Sequence, residues 1–348
     1  METADLAAAE VWESDANAAA LNPALGEDAG AWLRAADAAG VRGSVLFQTS
    51  GTTGAPRMAC LPRSALLASA RAVSAHLGLG AADRWLCALP TFHVGGFSIY
   101  ARAFAGGGEV VAFSGKWDAA RFAAELERGA ITATSLVPTQ VHDLVRARLP
   151  CPTPLRVALV GGGALPEATA GDARALGWPL LRTYGMTEAC SQIATESPGS
   201  PTAPWLPILP IWEARADAEG VLSLRGAALF AGYLERGGAF HRAPDWFRTS
   251  DCVALEGGKI RFLGRADRSV KILGELVNLD TEAAAAGRLL PERGSARISR
   301  SSPHLIRAAG TATCPRRRSA RDPRRCRVRH GCLTPVPRPS PGSPKSGW

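Results

Sequence analysis

The sequence predicts an α/β fold in which helices cover a largely parallel sheet, followed by a smaller β-rich region. In the first 200 residues, short apolar runs typical of strands alternate with segments that carry Ala, Leu and Arg in helical spacing. This alternation favours parallel strands joined by covering helices. The predicted strands are 44–48, 84–89, 109–113, 131–137, 155–161 and 179–183, and the predicted helices are 63–78, 95–105, 118–128, 138–148 and 166–176.

A second, all-β region is predicted after about residue 205, where the apolar runs become shorter and no helical spacing continues. VLSLRG at 221–226 has the composition of a strand. CVALEGGKIRFLG at 252–264 reads as a hairpin, because Gly257 and Gly258 supply the residues that a tight turn needs.

The segment 288–348 does not read as a folded domain, because it is rich in Arg, Pro, Ser and Gly and lacks an apolar period. It holds 15 of the 40 Lys and Arg residues and only two of the 31 acids, which leaves 25 basic and 29 acidic residues elsewhere. The body therefore gives no electrostatic reason to expect nucleic acid as a partner. Two explanations stay open for the segment: a disordered basic tail, or coding DNA read out of frame.

Composition also bears on location. The apolar runs fall well short of the roughly 20 residues that a spanning helix needs, so no membrane span is expected. The first residues, METADLAAAEVWESD, are acidic where a signal peptide is basic. The eight cysteines show no paired short spacing in the first 300 residues, which favours reduced thiols. We therefore expect a cytoplasmic protein.

The stretch TSGTTGAPR at 49–57 places glycines and hydroxyl side chains directly after an apolar run. Glycine permits close approach of the backbone, and N–H and hydroxyl groups can then surround phosphate oxygens. The stretch lacks the GxxxxGK[ST] pattern, and Arg57 is the basic residue at its end. It predicts a nucleotide phosphate site, with a plain Ser/Thr/Gly turn as the alternative.

Three further motifs follow in order: LPTFHVGG at 89–96, TYGMTEACSQ at 183–192, and WFRTSD at 246–251 leading into GRADRSVKILGE. Together with TSGTTGAPR they resemble the core motifs of the AMP-forming acyl-CoA synthetase and adenylation-domain superfamily. Within it, residues 41–285 look most like the 2-succinylbenzoate–CoA ligases of menaquinone biosynthesis. The resemblance implies that a carboxylate attacks the α-phosphate of ATP, that pyrophosphate leaves, and that coenzyme A takes the acyl group.

The resemblance also implies a nucleotide site that uses ATP and Mg²⁺. Glu188 would hold Mg²⁺, Thr187 would donate to the α-phosphate, and Tyr184 would lie on the adenine. The same resemblance assigns the phosphates, purine and ribose to Thr49, Ser50, Gly51, Thr52, Thr53, Gly54, Arg57, Gly161, Gly162, Gly163, Ala164, Gly185, Asp251 and Arg265.

Two further positions match family residues that act when the small C-terminal domain rotates between the two half-reactions. Asp267 falls at the hinge about which the small C-terminal domain rotates, and Lys271 falls where a lysine assists the second half-reaction. A turn cap remains the alternative for Asp251, and a solvated lysine at a strand edge remains the alternative for Lys271.

For the acyl substrate, the resemblance places His93 at the mouth of the acyl pocket. 2-Succinylbenzoate keeps a second carboxylate after activation, and burying that charge requires a partner. We take Arg102, on the following predicted helix, as that partner, with Ser191 and Gln192 nearby.

The family pattern divides the chain into an N-terminal helical segment at 1–40, an adenylate-forming core at 41–264, a hinge and start of the C-terminal domain at 265–287, and the tail. In the family, the small C-terminal domain carries a glycine-rich loop whose lysine contacts the carboxylate and the α-phosphate. After Lys271 this sequence has only Lys345. The rest of that domain is therefore predicted to be missing or replaced by the tail. Three alternatives therefore stay open: a ligase for another aryl or fatty acid, a nucleotide-binding remnant with weak turnover, and nucleic-acid binding through the tail.

Overall fold

A computed structural model describes residues 5–49, 56–200, 204–267, 269–272 and 275–278, and for the last two ranges only the backbone. All of these residues belong to one compact unit, Met1–Glu292. Six residues of the hydroxyl-rich stretch 49–57, Ser50, Gly51, Thr52, Thr53, Gly54 and Ala55, lie outside the described residues, as does the segment 288–348.

The described helices agree closely with those predicted between residues 63 and 176. They are α1 (Ala9–Glu13), α2 (Ala29–Ala38), α3 (Arg63–Leu77), α4 (Val94–Gly106), α5 (Ala119–Arg128), α6 (Pro138–Arg146) and α7 (Glu167–Ala175), with 3₁₀ turns at Asp5–Ala7, Pro23–Leu25 and Thr187–Ala189. None of the helices in the described ranges has the length and apolar character to cross a membrane.

The central sheet has the order β5-β4-β6-β7-β8-β9, and all pairs are parallel except β8 with β9. Its strands are β4 (Arg84–Cys87), β5 (Glu109–Ala112), β6 (Ala133–Leu136), β7 (Val157–Val160), β8 (Leu180–Tyr184) and β9 (Ala194–Thr195). The helix-covered, largely parallel sheet predicted from the sequence is therefore confirmed.

Both faces of this sheet are buried. Trp85 and Cys87 of β4 join a core with α3 and α4, whereas Leu86 between them joins a second core with α5, α6 and α7. Successive side chains of a strand point to opposite faces, so a strand buried on both sides is apolar throughout. This is why the sequence shows continuous apolar runs at these positions.

The predicted strand at 44–48 forms, but it belongs to a different sheet, with the order β1-β2-β3-β13-β14. There β2 pairs antiparallel with β3, and Thr49 lies opposite Arg57 across the hydroxyl-rich stretch. The prediction missed β3 because its apolar run is short and passes directly into α3. The strands of this sheet are β1 (Ala18–Ala20), β2 (Ser44–Thr49), β3 (Arg57–Pro62), β13 (Gly232–Glu235) and β14 (Phe240–Arg242).

The segment 1–40, predicted to be helical, contains α1 and α2 but also β1, which pairs in parallel with β2. The sequence of β1 is three alanines, which favour helix intrinsically. Pairing with β2 and burial of Ala19 and Ala20 override that preference.

The all-β region forms an antiparallel sheet with the order β10-β16-β15-β12-β11. The predicted hairpin is confirmed, with Gly257 (φ 54°) and Gly258 (φ 74°) at its turn. Its strands are β10 (Leu206–Pro207), β11 (Trp212–Ala216), β12 (Val221–Gly226), β15 (Phe247–Glu256) and β16 (Lys259–Arg265), and β17 (Ser269–Ile272) pairs with β18 (Glu275–Asn278) beyond them.

Candidate functional site

Part of the candidate nucleotide set lies at the carboxyl ends of β7 and β8, where parallel sheets of this kind bind ligands. Gly161, Gly162, Gly163 and Ala164 follow β7. Gly162 has φ +78°, and a side-chain carbon on Gly161 would stand 3.2 Å from Thr183 Oγ1. This segment therefore presents its backbone with almost no side-chain bulk.

After β8 the chain folds back on itself within ten residues. Ser191 N–H donates to the carbonyl of Met186 at 3.2 Å, and Ile193 N–H donates to that of Tyr184 at 2.8 Å. A side chain on Gly185 would overlap the carbonyl oxygen of Ser191, so only glycine fits there. The fold-back fixes the 3₁₀ turn Thr187–Ala189 and with it Thr187 and Glu188.

Asp251, Tyr184 and Arg265 form one hydrogen-bonded group. The Tyr184 hydroxyl donates to Asp251 Oδ2 at 2.7 Å, and Arg265 donates to Asp251 Oδ1 at 2.8 Å. Asp251 is only 5% exposed. It lies within β15, opposite Arg265 of β16, so the alternative of a turn cap is wrong.

Arg265 also donates two hydrogen bonds to Asp267, at 2.9 and 2.5 Å. These bonds raise the pKa of Arg265, and the charges of Asp251 and Glu188 add to the rise. Burial raises the pKa of Tyr184, and the charges of Asp251 and, more weakly, Glu188 raise it further. Glu188 therefore lies within electrostatic reach of the Asp251 group.

Glu188 belongs to a second group, with Tyr233 and Arg57. The Tyr233 hydroxyl donates to Glu188 Oε1 at 2.5 Å, and the Arg57 guanidinium lies 3.7 Å above the Tyr233 ring. The backbone N–H of Phe230 donates to the carbonyl of Glu188 at 2.9 Å. Burial raises the pKa of Tyr233, Glu188 raises it further, and Arg57 opposes the rise.

Glu188 is suited to Mg²⁺ by its chemistry. Mg²⁺ prefers one or two carboxylates together with phosphate oxygens and waters. Across the described ranges, no three His, Cys, Asp or Glu side chains are grouped to hold a metal ion by themselves. A single carboxylate is compatible with an ion that takes its other ligands from phosphate oxygens and water.

His93 is exposed at the N-terminus of α4, and its ring lies 4.6 Å from that of Phe92. Three residues further on, a side chain on Gly96 would collide with the carbonyl of Pro90. The tight approach of this loop to the start of α4 fixes the backbone position from which His93 projects.

Arg102 lies on α4 and is 2% exposed. One terminal nitrogen donates to Ser98 Oγ at 3.1 Å, and the guanidinium lies 5.6 Å from the Trp85 ring centroid. Within the described part of the chain, its Nε and its other terminal nitrogen have no hydrogen-bond partner. Burial lowers the pKa of Arg102 to about 10, and nearby Cys87 opposes the change.

Gln192 is 3% exposed, and its side-chain oxygen is also without a partner among the described residues. Ser191 is half-buried and adopts φ 94°, a backbone conformation uncommon outside glycine. No hydrogen bond in the described ranges joins Arg102 to either residue. Lys271 lies in β17, and its side chain is outside the description.

Sequence reasoning did not identify Tyr233 or Ser98. Tyr233 is separated from Glu188 by 45 residues, and no local pattern links the two. The only local signal is Gly232 before it, which has φ +150° and sits against the His241 carbonyl. That signal marks a close backbone approach and says nothing about a carboxylate.

Known proteins resemble this chain in both sequence and structure. A family model described as AMP-binding enzyme matches residues 42–234. The 2-succinylbenzoate–CoA ligase of Bacillus pumilus is 33% identical over 222 residues, covering 60% of this chain and 46% of the relative. That of Enterococcus faecalis is 30% identical over 235 residues, covering 63% and 48%.

Among solved structures, the O-succinylbenzoate coenzyme A synthetase (MenE) of Bacillus subtilis in complex with ATP and magnesium ion is similar. Its TM-score is 0.59 at 28% identity, and the match covers 67% of this chain and 52% of that one. The chain spans about half the length of the curated relatives it matches.

Proposed function

Because the chain belongs to the AMP-binding enzyme family, we propose that it is an AMP-forming acid–CoA ligase whose acid is a dicarboxylate such as 2-succinylbenzoate. The observation that carries the substrate proposal is the buried guanidinium of Arg102, with two nitrogens that lack partners among the described residues. A buried cation of this kind is costly unless a ligand supplies the missing charge.

The nucleoside part of ATP is proposed to bind against Tyr184, Asp251 and the glycines after β7. Asp251 already accepts one hydrogen bond on each oxygen, and a carboxylate has about four acceptor positions. The remaining positions suit ribose hydroxyls. Arg265 pairs with Asp251 and orients it, while Gly161, Gly162, Gly163 and Ala164 would let the purine reach the backbone.

The phosphates are proposed to lie between the stretch 49–57 and the 3₁₀ turn. Thr187 would donate to the α-phosphate. Arg57, the basic residue at the end of the stretch 49–57, would lie near the β- and γ-phosphates. Glu188 would hold Mg²⁺, which supplies positive charge to the phosphate oxygens as pyrophosphate leaves. Such chemistry depends mainly on positioning and charge stabilisation.

The acid is proposed to bind with one carboxylate towards the α-phosphate and the other on Arg102. Attack of the first carboxylate forms the acyl–phosphate bond and breaks the bond to pyrophosphate. The thiol of coenzyme A then attacks the acyl carbon, and AMP leaves. His93, at the exposed start of α4, would admit the acid, and Lys271 would act in the second step, with Asp267 as the hinge.

A second candidate is a nucleotide-binding chain with weak turnover. It is kept because the chain spans about half the length of the curated relatives it matches. This candidate shares the nucleotide site and differs from the first in catalysis.

The test is ATP–pyrophosphate exchange by the purified chain with 2-succinylbenzoate, benzoate or a medium-chain fatty acid, alongside equilibrium binding of AMP and MgATP. Exchange driven by 2-succinylbenzoate alone would support the proposal, and exchange driven by another acid would replace the substrate. Binding without exchange would favour the second candidate. Failure to bind either nucleotide would contradict both.

A further inference from the structure

Two tyrosine hydroxyls of the candidate site each donate a hydrogen bond to a carboxylate. Tyr184 donates to Asp251 at 2.7 Å, and Tyr233 donates to Glu188 at 2.5 Å. The first pair belongs to the nucleoside half of the proposed site. The second belongs to the metal and pyrophosphate half, and neither sequence motif nor family resemblance had singled out its tyrosine.

Tyr233 is held by rigid structure. It lies in β13, which pairs antiparallel with β3, so that Tyr233 stands opposite Ala59. Its ring also packs against Phe230 at a centroid distance of 4.7 Å. The N–H of Phe230 binds the Glu188 carbonyl, so both the backbone and the carboxylate of Glu188 are tied to the same short segment.

The same ring carries Arg57 on its face at 3.7 Å. A guanidinium over an aromatic ring is attracted by the ring quadrupole, and the ring restricts its directions. Within the described residues, Arg57 Nε is buried without a hydrogen-bond partner. Among the described residues, the Tyr233 ring is therefore a contact that restrains the cation at the end of the hydroxyl-rich stretch.

We propose that Tyr233 is a positioning residue that sets the Mg²⁺-binding carboxylate of Glu188 through its hydroxyl and the phosphate-loop cation Arg57 through its ring. The inference rests on the proposed function, because it requires Glu188 to hold the ion that accompanies the β- and γ-phosphates. Because Glu188 and Arg57 both contact Tyr233, displacement of its ring would disturb both residues that are proposed to act on the pyrophosphate.

The test compares Tyr233→Phe with Tyr184→Phe by calorimetric binding of MgATP, and of AMP in the presence of EDTA. Loss of a hydrogen bond that orients a metal ligand commonly weakens metal affinity about 10- to 100-fold. For Y233F we expect a Kd for MgATP at least about tenfold higher and an unchanged Kd for AMP. Y184F should weaken AMP and MgATP together, leaving their ratio unchanged.

Two further variants separate the roles of hydroxyl and ring. In a Glu188→Gln background, Y233F should produce little further loss of MgATP affinity, because both changes act through the same carboxylate. Tyr233→Leu should weaken the competition of pyrophosphate with MgATP binding more than Y233F does, since only Y233L removes the ring on which Arg57 stacks.

The outcomes distinguish this inference from the function on which it rests. Unchanged MgATP binding by Y233F, or equal losses for AMP and MgATP, would overturn the role of Tyr233. Additive effects of Y233F and E188Q would also contradict it. If the unsubstituted chain failed to bind MgATP, the proposed function itself would fall.

Discussion

Replacing Arg102 with methionine tests whether its buried charge serves to bind the substrate or to stabilise the fold. Methionine keeps an unbranched apolar stem of similar reach and removes the guanidinium. Ser98, which now accepts from Arg102, also donates to the Gly95 carbonyl at 3.2 Å, so its hydroxyl keeps a partner. The substitution therefore removes the buried charge and leaves the hydroxyl satisfied.

The expected effects on stability and on binding have opposite signs. Replacing buried ionic groups by apolar ones of similar volume is often neutral or stabilising by about 1–4 kcal/mol. Because Arg102 is 2% exposed and two of its nitrogens lack partners among the described residues, we expect the free protein to gain stability. A large domain gains about 2–4 °C in Tm per kcal/mol.

Binding of a dicarboxylate should become weaker. Removing one partner of a buried charge pair costs about 2–5 kcal/mol, which is roughly 30-fold to several thousand-fold in affinity. The assay is the KM for 2-succinylbenzoate and for benzoate in ATP–pyrophosphate exchange. R102M should raise the first KM by at least about 30-fold and leave the second nearly unchanged.

Arg102→Lys is the matched control, because it retains the positive charge and loses the planar fork. Its effect on the dicarboxylate should be intermediate. Equal rises in KM for both acids would refute the assignment of the second carboxylate to Arg102. A fall in Tm for R102M would refute the reasoning that the guanidinium is buried at a cost in the free protein.

Two other substitutions test the nucleotide half of the site. Asp251→Asn keeps the shape but removes the charge that Arg265 pairs with, so AMP binding should weaken by about tenfold or more, since hydrogen bonds to charged groups contribute about 1.5–3 kcal/mol; unchanged AMP affinity by calorimetry would contradict its ribose role. Gly185→Ala should lower the free energy of unfolding by at least about 1–3 kcal/mol, because the methyl group overlaps the Ser191 carbonyl. Gly171→Ala, in α7 with open space around it, should be neutral or stabilising in the same denaturation experiment, and equal effects of the two would exclude the steric explanation.

The inner strands β4, β6 and β7 of the central sheet could be predicted because they are buried on both faces, and α5 and α6 could be predicted because each is buried on one face. The strand β3 could not, since four buried residues, Met58 to Leu61, carry too short a pattern beside a loop and a helix. Which sheet a strand joins is likewise not encoded locally. β2 resembles the strands of the central sheet in composition, yet it pairs with β1 and β3 of a different sheet.

For the candidate site, the sequence could propose residues only where a motif carries them. Tyr184, Glu188 and Asp251 lie in recognisable motifs, but their partners depend on tertiary pairing. Counting outward from the turn of the β15–β16 hairpin would place Asp251 opposite Gly264. The register shifts between Cys252 and Val253, and this irregularity brings Arg265 opposite Asp251 instead.

The pairing of β3 with β13 has a consequence for synthesis of the chain. Residues 57–62 leave the ribosome long before 232–235, the strand that pairs with their free edge. Until β13 arrives, β3 presents an open edge that can pair with other chains, and closing so long a loop is slow. The support for Glu188 and Arg57 is therefore among the last parts of the site to assemble, and nascent chains shorter than about 235 residues should be the ones that need a chaperone most.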